Sequence, residues 1–204
     1  MLSRGFITRV VLSVAASCIL HAVPASAQSP VAQEARNSWE LLFSSGALVP
    51  AGAQRDFIKD ANLSTAQLSY VIRSRYALTT MFGWARSRDL GSVAAPKLDV
   101  FTYDVGAEAR APRWIGGESV SFTPFIGAGA GSRSYNYRSL DVAARHNLAG
   151  YAAIGGELGR SRLRVRLEVR DYVTGFKPLV GSGSAGTRNE VVAFVGLRFA
   201  RRGS

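Results

Sequence analysis

From Leu163 to Val173 the chain alternates without a break: Leu163, Val165, Leu167 and Val169 fall on one parity, and Arg164, Arg166, Glu168 and Arg170 on the other. A strand sends successive side chains to opposite faces, so this segment predicts a strand with one apolar face and one heavily charged face. The same period recurs. In 98–110, Phe101, Tyr103, Val105, Ala107 and Ala109 oppose Val100, Thr102, Asp104, Gly106, Glu108 and Arg110, with Asp99 on the apolar parity at the strand's mouth. In 120–132, Phe122, Ile126, Ala128 and Ala130 oppose Thr123, Phe125, Gly127, Gly129 and Gly131; in 189–200, Val191, Val195, Leu197 and Phe199 oppose Glu190, Val192, Phe194, Gly196 and Arg198. The pattern predicts eight strands, at 39–49, 66–75, 78–87, 98–110, 120–132, 147–159, 163–174 and 189–200. Only 50–68 offers a helical period, where Phe57, Ile58, Asn62 and Leu63 predict one turn in a loop. Pro124 cannot donate to a ladder, which predicts a bulge or weakened pairing beside it.

The connectors alternate in length. Those at 50–65, 88–97, 133–146 and 175–188 are long; those near 76–77, 111–119 and 160–162 are shorter. Long loops at one end and short turns at the other predict an all-β fold: an eight-stranded antiparallel up-and-down transmembrane β-barrel. A secreted eight-stranded barrel of lipocalin type is the alternative, and it predicts the reverse sidedness, apolar inside and charged outside. The near-absence of charge from one face of the mid-strand segments favours the membrane.

The N-terminus adds an export signal. Arg4 and Arg9 precede an apolar run over 10–20, too short for the ~20 residues of a membrane helix, and Pro24-Ala25-Ser26-Ala27 supplies an A-x-A site with cleavage before Gln28. The division expected is 1–27 signal peptide, 28–38 short periplasmic lead-in, 39–200 outer-membrane β-barrel and 201–204 C-terminal extension. Cys18, the single cysteine, follows Ala15-Ala16-Ser17, where a lipid-attachment box usually has Leu in place of Ala15. The formal charge of +11 becomes +9 once Arg4 and Arg9 leave with a segment that carries no Asp or Glu. Export and mid-strand arginines point this charge at phospholipid or lipopolysaccharide head groups and away from nucleic acid. Arg73, Arg75, Arg110, Arg113, Arg160, Arg162, Arg201 and Arg202 flank the short-turn side, where inner-leaflet phospholipid is the expected neighbour.

The stretch Thr123-Pro124-Phe125-Ile126-Gly127-Ala128-Gly129-Ala130-Gly131 resembles the fifth strand of the small outer-membrane β-barrel family. Gly155-Gly156-Glu157-Leu158-Gly159 through Leu167-Glu168-Val169-Arg170-Asp171-Tyr172-Val173 resembles its next hairpin, and Phe194-Val195-Gly196-Leu197-Arg198-Phe199 its closing strand. The likeness runs from Trp39 to Phe199 and is to the architecture of the OmpA transmembrane domain, without the peptidoglycan-binding domain, since only Ala-Arg-Arg-Gly-Ser follows. It implies the outer membrane of a Gram-negative-type bacterium, the export and barrel-assembly machinery as partners, and Leu197 and Phe199 as the assembly signal. It names no extracellular ligand.

A barrel of eight strands is just wide enough for side chains to fill it. Arg164, Arg166, Arg170 and Arg198 on the inner parity therefore need partners, and Asp104, Glu108, Glu157, Glu168 and Glu190 share that parity. Phe125, Tyr151 and Phe194 should fill the remaining space. A filled lumen and a structural or surface-interaction role follow, in preference to an ion path. No cofactor, metal or catalytic residue is assigned. Gly181-Ser182-Gly183-Ser184-Ala185-Gly186 matches G-x-G-x-x-G by letter, but a strand follows it, not the required helix. His146, the only histidine beyond the signal, has no cysteine to join it in a metal site. It is a candidate base beside Ser134 or Ser139. Outer-membrane lipid A deacylases carry Ser two residues after the His; Leu148 stands there, so no enzyme is expected.

Overall fold

A computed structural model describes residues 37–91, 93–116, 120–138, 140–160, 163–176 and 186–202. The expected signal cleavage at Ala25, Ala27 and Gln28 lies outside them. Among the described residues the chain forms β1 (Ser38–Ala51), β2 (Ala61–Ile72), β3 (Tyr76–Arg88), β4 (Lys97–Arg110), β5 (Trp114–Gly116), β6 (Val120–Tyr137), β7 (Arg145–Arg160), β8 (Leu163–Phe176) and β9 (Gly186–Arg202). Every pairing is antiparallel. The sheet runs β4-β3-β2-β1-β9-β8-β7-β6-β5, and β4 also pairs with β6. That last pairing closes an eight-stranded barrel, with β5 a short continuation of the β4 stave.

The break between β4 and β5 sits opposite Pro124. Arg110 pairs with Phe125, and Trp114 pairs with Phe122. Four steps along β4–β5 thus meet three along β6, so one extra residue bulges out. The Ala111 N–H donates to the Pro124 carbonyl at 2.9 Å. A strand residue points its N–H and C=O the same way, so the missing donor of Pro124 faces the bulge, and the ladder to β7 continues unbroken through Pro124 and Gly156.

The short turn between β2 and β3 places Arg73 at φ 50° and Ser74 at φ 58°, both in the left-handed region that costs L-residues about 1–2 kcal/mol each. The Arg75 N–H donates to the Ile72 carbonyl at 3.2 Å, and the Arg73 N–H to Asn37 Oδ1 at 3.3 Å. At the other end a 3-10 helix occupies Gly52–Asp56. It lies upstream of the turn predicted from Phe57, Ile58, Asn62 and Leu63. Ile58 instead bridges Asp89, and Asn62 and Leu63 belong to β2, where Leu63 is buried inside the barrel. The apolar spacing read as helical belongs to a loop that dips into the mouth and a strand that leaves it.

Sidedness is uniform around the barrel. Leu41, Leu68, Leu78, Val105, Ile126, Ile154, Val165, Leu167, Val169, Val195 and Leu197 are exposed. The charged parity of β8 (Arg164, Arg166, Glu168, Arg170) is buried. This is the opposite of a lipocalin, whose apolar faces turn inward. Trp39, Tyr76 and Phe199 mark the short-turn end of the apolar surface, with Trp39 and Tyr70 rings 5.0 Å apart. Phe82, Trp84, Phe101 and Tyr103 mark the long-loop end, with the Phe82 and Tyr103 rings 5.4 Å apart. From Tyr76 to Trp84 along β3 is about 20 Å of barrel height at a rise of ~3.3 Å and a tilt of ~40°, close to the ~25 Å apolar band of such barrels.

Candidate functional site

The alternation of β1, β4, β7, β8 and β9 delivers their charged parity to the barrel axis, where three arginines and three glutamates close a ring. Glu40 binds Arg110 (2.8 Å) and Arg198 (2.7 Å); Arg110 reaches Glu108 (3.2 Å); Glu108 meets Arg166 (2.5 Å); Arg166 meets Glu157 (3.1 Å); and Glu157 returns to Arg198 (2.9 Å). Each member of the ring touches two of opposite charge. Arginine suits this, because its planar fork donates in several directions at once and stays charged when buried. Arg166 carries a third partner, with Nε donating to Glu168 Oε2 at 2.8 Å.

The chain of charges continues toward the long loops. Glu168 also accepts from Arg170 Nε. Arg170 donates to Asp104 Oδ2 at 3.3 Å and to Gln67 Oε1 at 2.7 Å, and the Tyr172 hydroxyl donates to Asp104 at 2.5 Å. Higher still, Arg133 pairs with Glu190 at 3.1 Å, hydrogen-bonds Thr102 and lies 4.0 Å over the Tyr172 ring. Glu190 accepts from the Tyr135 hydroxyl at 3.1 Å. Aromatic rings fill the gaps: Arg166 stands 3.7 Å over Phe125, and Arg170 4.5 Å from Tyr151 and 5.6 Å from Phe194. Above the charges lies an apolar cap of Leu48, Ile58, Leu63, Leu98, Val100, Tyr137 and Val192.

Among the described residues the linked charges of the lumen are six arginines (Arg110, Arg133, Arg164, Arg166, Arg170, Arg198) and six carboxylates (Glu40, Asp104, Glu108, Glu157, Glu168, Glu190), all buried; Asp89, buried at the mouth, accepts from the Tyr137 hydroxyl at 2.7 Å. Of the residues expected there, Arg164 is the most weakly held, 3.8 Å from Glu157 and 3.2 Å from Thr123 Oγ1. Three members were not foreseen. Glu40 is the lone acid of β1. Arg110, expected at the turn beside lipid head groups, is buried between Glu40 and Glu108, because even residues of β4 face inward through the strand's last residue. Arg133, expected in a loop, lies on β6, which continues to Tyr137. The alternation Arg133, Tyr135, Tyr137 against Ser134, Asn136 was the available signal.

Among the turn arginines, Arg73, Arg75 and Arg113 are exposed. Leu197 and Phe199 point outward on β9, in register with Phe43 and Leu41 of β1. Ser134 and His146 are paired across β6 and β7, with Ser134 buried and His146 exposed. Ser139 lies outside the described residues. Among the described residues no group of three or more His, Cys, Asp or Glu is arranged to hold a metal ion.

No protein-family model matches the chain, and no curated protein is similar to it. Solved structures are. Neisserial surface protein A superposes with a TM-score of 0.52 at 13% identity, over 79% of this chain and 96% of that one. The N-terminal β-barrel domain of Pseudomonas aeruginosa OprF gives 0.46 at 16% identity, over 81% and 98%. Ail, the attachment invasion locus protein of Yersinia pestis, gives 0.47 at 14% identity, over 81% and 98%. With its closed antiparallel sheet of eight staves, the chain has the fold of the small outer-membrane β-barrels.

Proposed function

We propose that the protein is an integral β-barrel of a Gram-negative-type outer membrane, exported by cleavage after Ala27, with a filled lumen and a structural or surface-interaction role. The observation that carries this reading is the sidedness: a closed network of buried charge inside and an apolar belt edged by aromatic rings outside. In water that belt would be an exposed apolar patch far larger than soluble proteins tolerate. In a bilayer it is the required surface, since a closed barrel leaves no backbone group unpaired in hydrocarbon. Interaction chemistry then resides in the segments that join β1 to β2, β3 to β4, β6 to β7 and β8 to β9. We assign the protein no catalytic step and no cofactor.

Four measurements test this. Mature protein should fractionate with the outer membrane, begin at Gln28 by intact mass, and shift in gel mobility when heated in detergent. Recovery as a soluble periplasmic or secreted species without a heat-dependent shift would overturn the placement. A lipid A deacylation assay should show no turnover above a His146→Ala control; activity that disappears with His146 would overturn the non-enzymatic reading.

A further inference from the structure

The outer face is not uniformly apolar. Just beyond the ring of Phe82, Trp84, Phe101 and Tyr103, at the long-loop end, Lys59, Arg86, Arg88, Lys97 and Arg138 line a cleft of about 280 Å³ together with Asp60. These cations come from three separate loop regions, and the main chain fastens them together. The Lys59 N–H donates to the Arg88 carbonyl at 3.1 Å, and the Arg138 N–H to the Lys97 carbonyl at 3.2 Å. Beneath them the buried Ser87 hydroxyl donates to the Lys59 carbonyl at 2.5 Å.

Its charge is lopsided. Among the described residues only Arg138 of the five is ion-paired: its Nε and Nη2 donate to the two oxygens of Asp99 at 2.6 and 2.5 Å. Asp99 also accepts from the Trp84 indole at 3.2 Å, which leaves it little capacity for other cations. Arg86 packs 4.3 Å over the Trp84 ring, so its guanidinium is held at the upper edge of the aromatic band rather than free in solvent. Lys59, Arg88 and Lys97 are exposed. The linked network inside, by contrast, sets six arginines against six carboxylates. Five of the cations outside the lumen are therefore gathered at one height, on one side of the barrel, apart from Arg73, Arg75 and Arg113, which are exposed at the opposite end.

We infer that this cleft binds the phosphorylated sugar headgroup of an outer-leaflet glycolipid. The inference rests on the outer-membrane reading above, which sets the cleft's height. With the aromatic ring at the edge of the hydrocarbon, side chains one or two residues further along β3 and β4 lie among the head groups. Arginine and lysine from separate strands converging on a cleft of this size suit a phosphate, which takes several charge-assisted donors at once. Trp84 and Phe101 below it offer apolar surface to the first acyl carbons.

The test uses the refolded mature barrel in non-ionic detergent with three probes: bis-phosphorylated lipid A in mixed micelles, the same lipid with both phosphates removed, and inositol hexakisphosphate as a soluble polyanion. The triple variant R86Q/R88Q/K97Q removes outward-facing charge only. R73Q/R75Q at the opposite end is the control. At ~1 kcal/mol per basic residue near a charged lipid surface, the triple variant should bind bis-phosphorylated lipid A ~100-fold more weakly, while the control variant binds as the wild type does. The dephosphorylated lipid should bind weakly to every form, a comparison that needs no variant. Equal binding by wild type and triple variant, with both showing the same heat-dependent gel shift, would overturn the assignment, as would equal affinity for the two lipids. Tighter binding of inositol hexakisphosphate than of the lipid would overturn the headgroup and point to a soluble polyanion. A heat-modifiable barrel in the outer membrane that ignores lipid A sinks this inference alone; a soluble protein sinks both.

Discussion

Arg166 is the arginine on which the most carboxylates converge. It touches Glu108, Glu157 and Glu168 and caps the Phe125 ring. Arg164, one inward position away on the same strand, has a single carboxylate at 3.8 Å. Removing one partner of a buried pair costs about 3–5 kcal/mol because the other is left charged and dry. Arg166→Met should therefore cost that much in a urea titration of the refolded barrel, and Arg164→Met clearly less. Val165 between them faces outward, and Val165→Arg should cost roughly 2–4 kcal/mol by placing a charge toward mid-bilayer. If all three variants unfold alike, the face assignment is wrong. Ser74 is a different case. Its φ of 58° is one that glycine adopts without strain, so Ser74→Gly should raise stability by about 1 kcal/mol in the same titration. The charged residues of β8 were legible from alternation alone. Glu40 was not, because a single acid in the apolar segment 39–49 gives no period of its own; only the partner strands reveal that Arg110 and Arg198 need it.

The strands were legible wherever one face is apolar and the other charged, as in β8 and β4. They were misjudged where both faces are polar or small. β2 begins at Ala61, five residues before the predicted start, because Asn62 and Ser64 on one face and Thr65 on the other blur the alternation. β6 runs past Ser132 to Tyr137 because Arg133 resembles a loop residue until the lumen is known to accept it. Close approach sets other details. A Cβ on Gly155 would lie 2.4 Å from the Phe125 ring, so the glycine on β7 gives the ring room to lie across its neighbour and carry Arg166. Pro124 illustrates how a ladder tolerates a missing donor. Its N–H side faces the bulge at 111–113, whereas Thr123 turns its N–H toward β7 and Glu157. Pro124→Thr should be nearly neutral. Moving the proline by one, as Thr123→Pro with Pro124→Thr, removes a ladder bond, which costs several kcal/mol in a hydrocarbon setting. Refolding yield by heat-dependent gel shift distinguishes the two. Equal yields would mean that the bulge has no bearing on where the proline sits.

Taken as one object, the barrel sorts its charge. Inside, arginines and carboxylates are linked in one network built on a closed ring, so a one-residue slip of any of these strands would send arginines to the lipid face and apolar side chains to the axis. The network need not add net stability, since desolvation offsets much of the attraction; its effect is to fix register. Composition announced an excess of basic residues without saying where it resides, because parity assigns a face but not a height or a neighbour. Only the closed sheet brings 59, 86–88, 97 and 138 to one cleft. The same closure decides conductance. The lumen is narrow at eight strands, is crossed by the Glu40–Arg110–Glu108–Arg166–Glu157–Arg198 ring, and is covered toward the loops by Leu48, Ile58, Leu63 and Val192. An ion would have to displace fixed charges of its own sign and then cross a closely packed layer made mostly of apolar side chains. Planar-bilayer recordings of the refolded protein should therefore show no steady openings of porin size at any salt concentration. Regular steps that scale with salt would mean that the ring and its apolar cap part in the membrane, and the filled-lumen reading would fall with them.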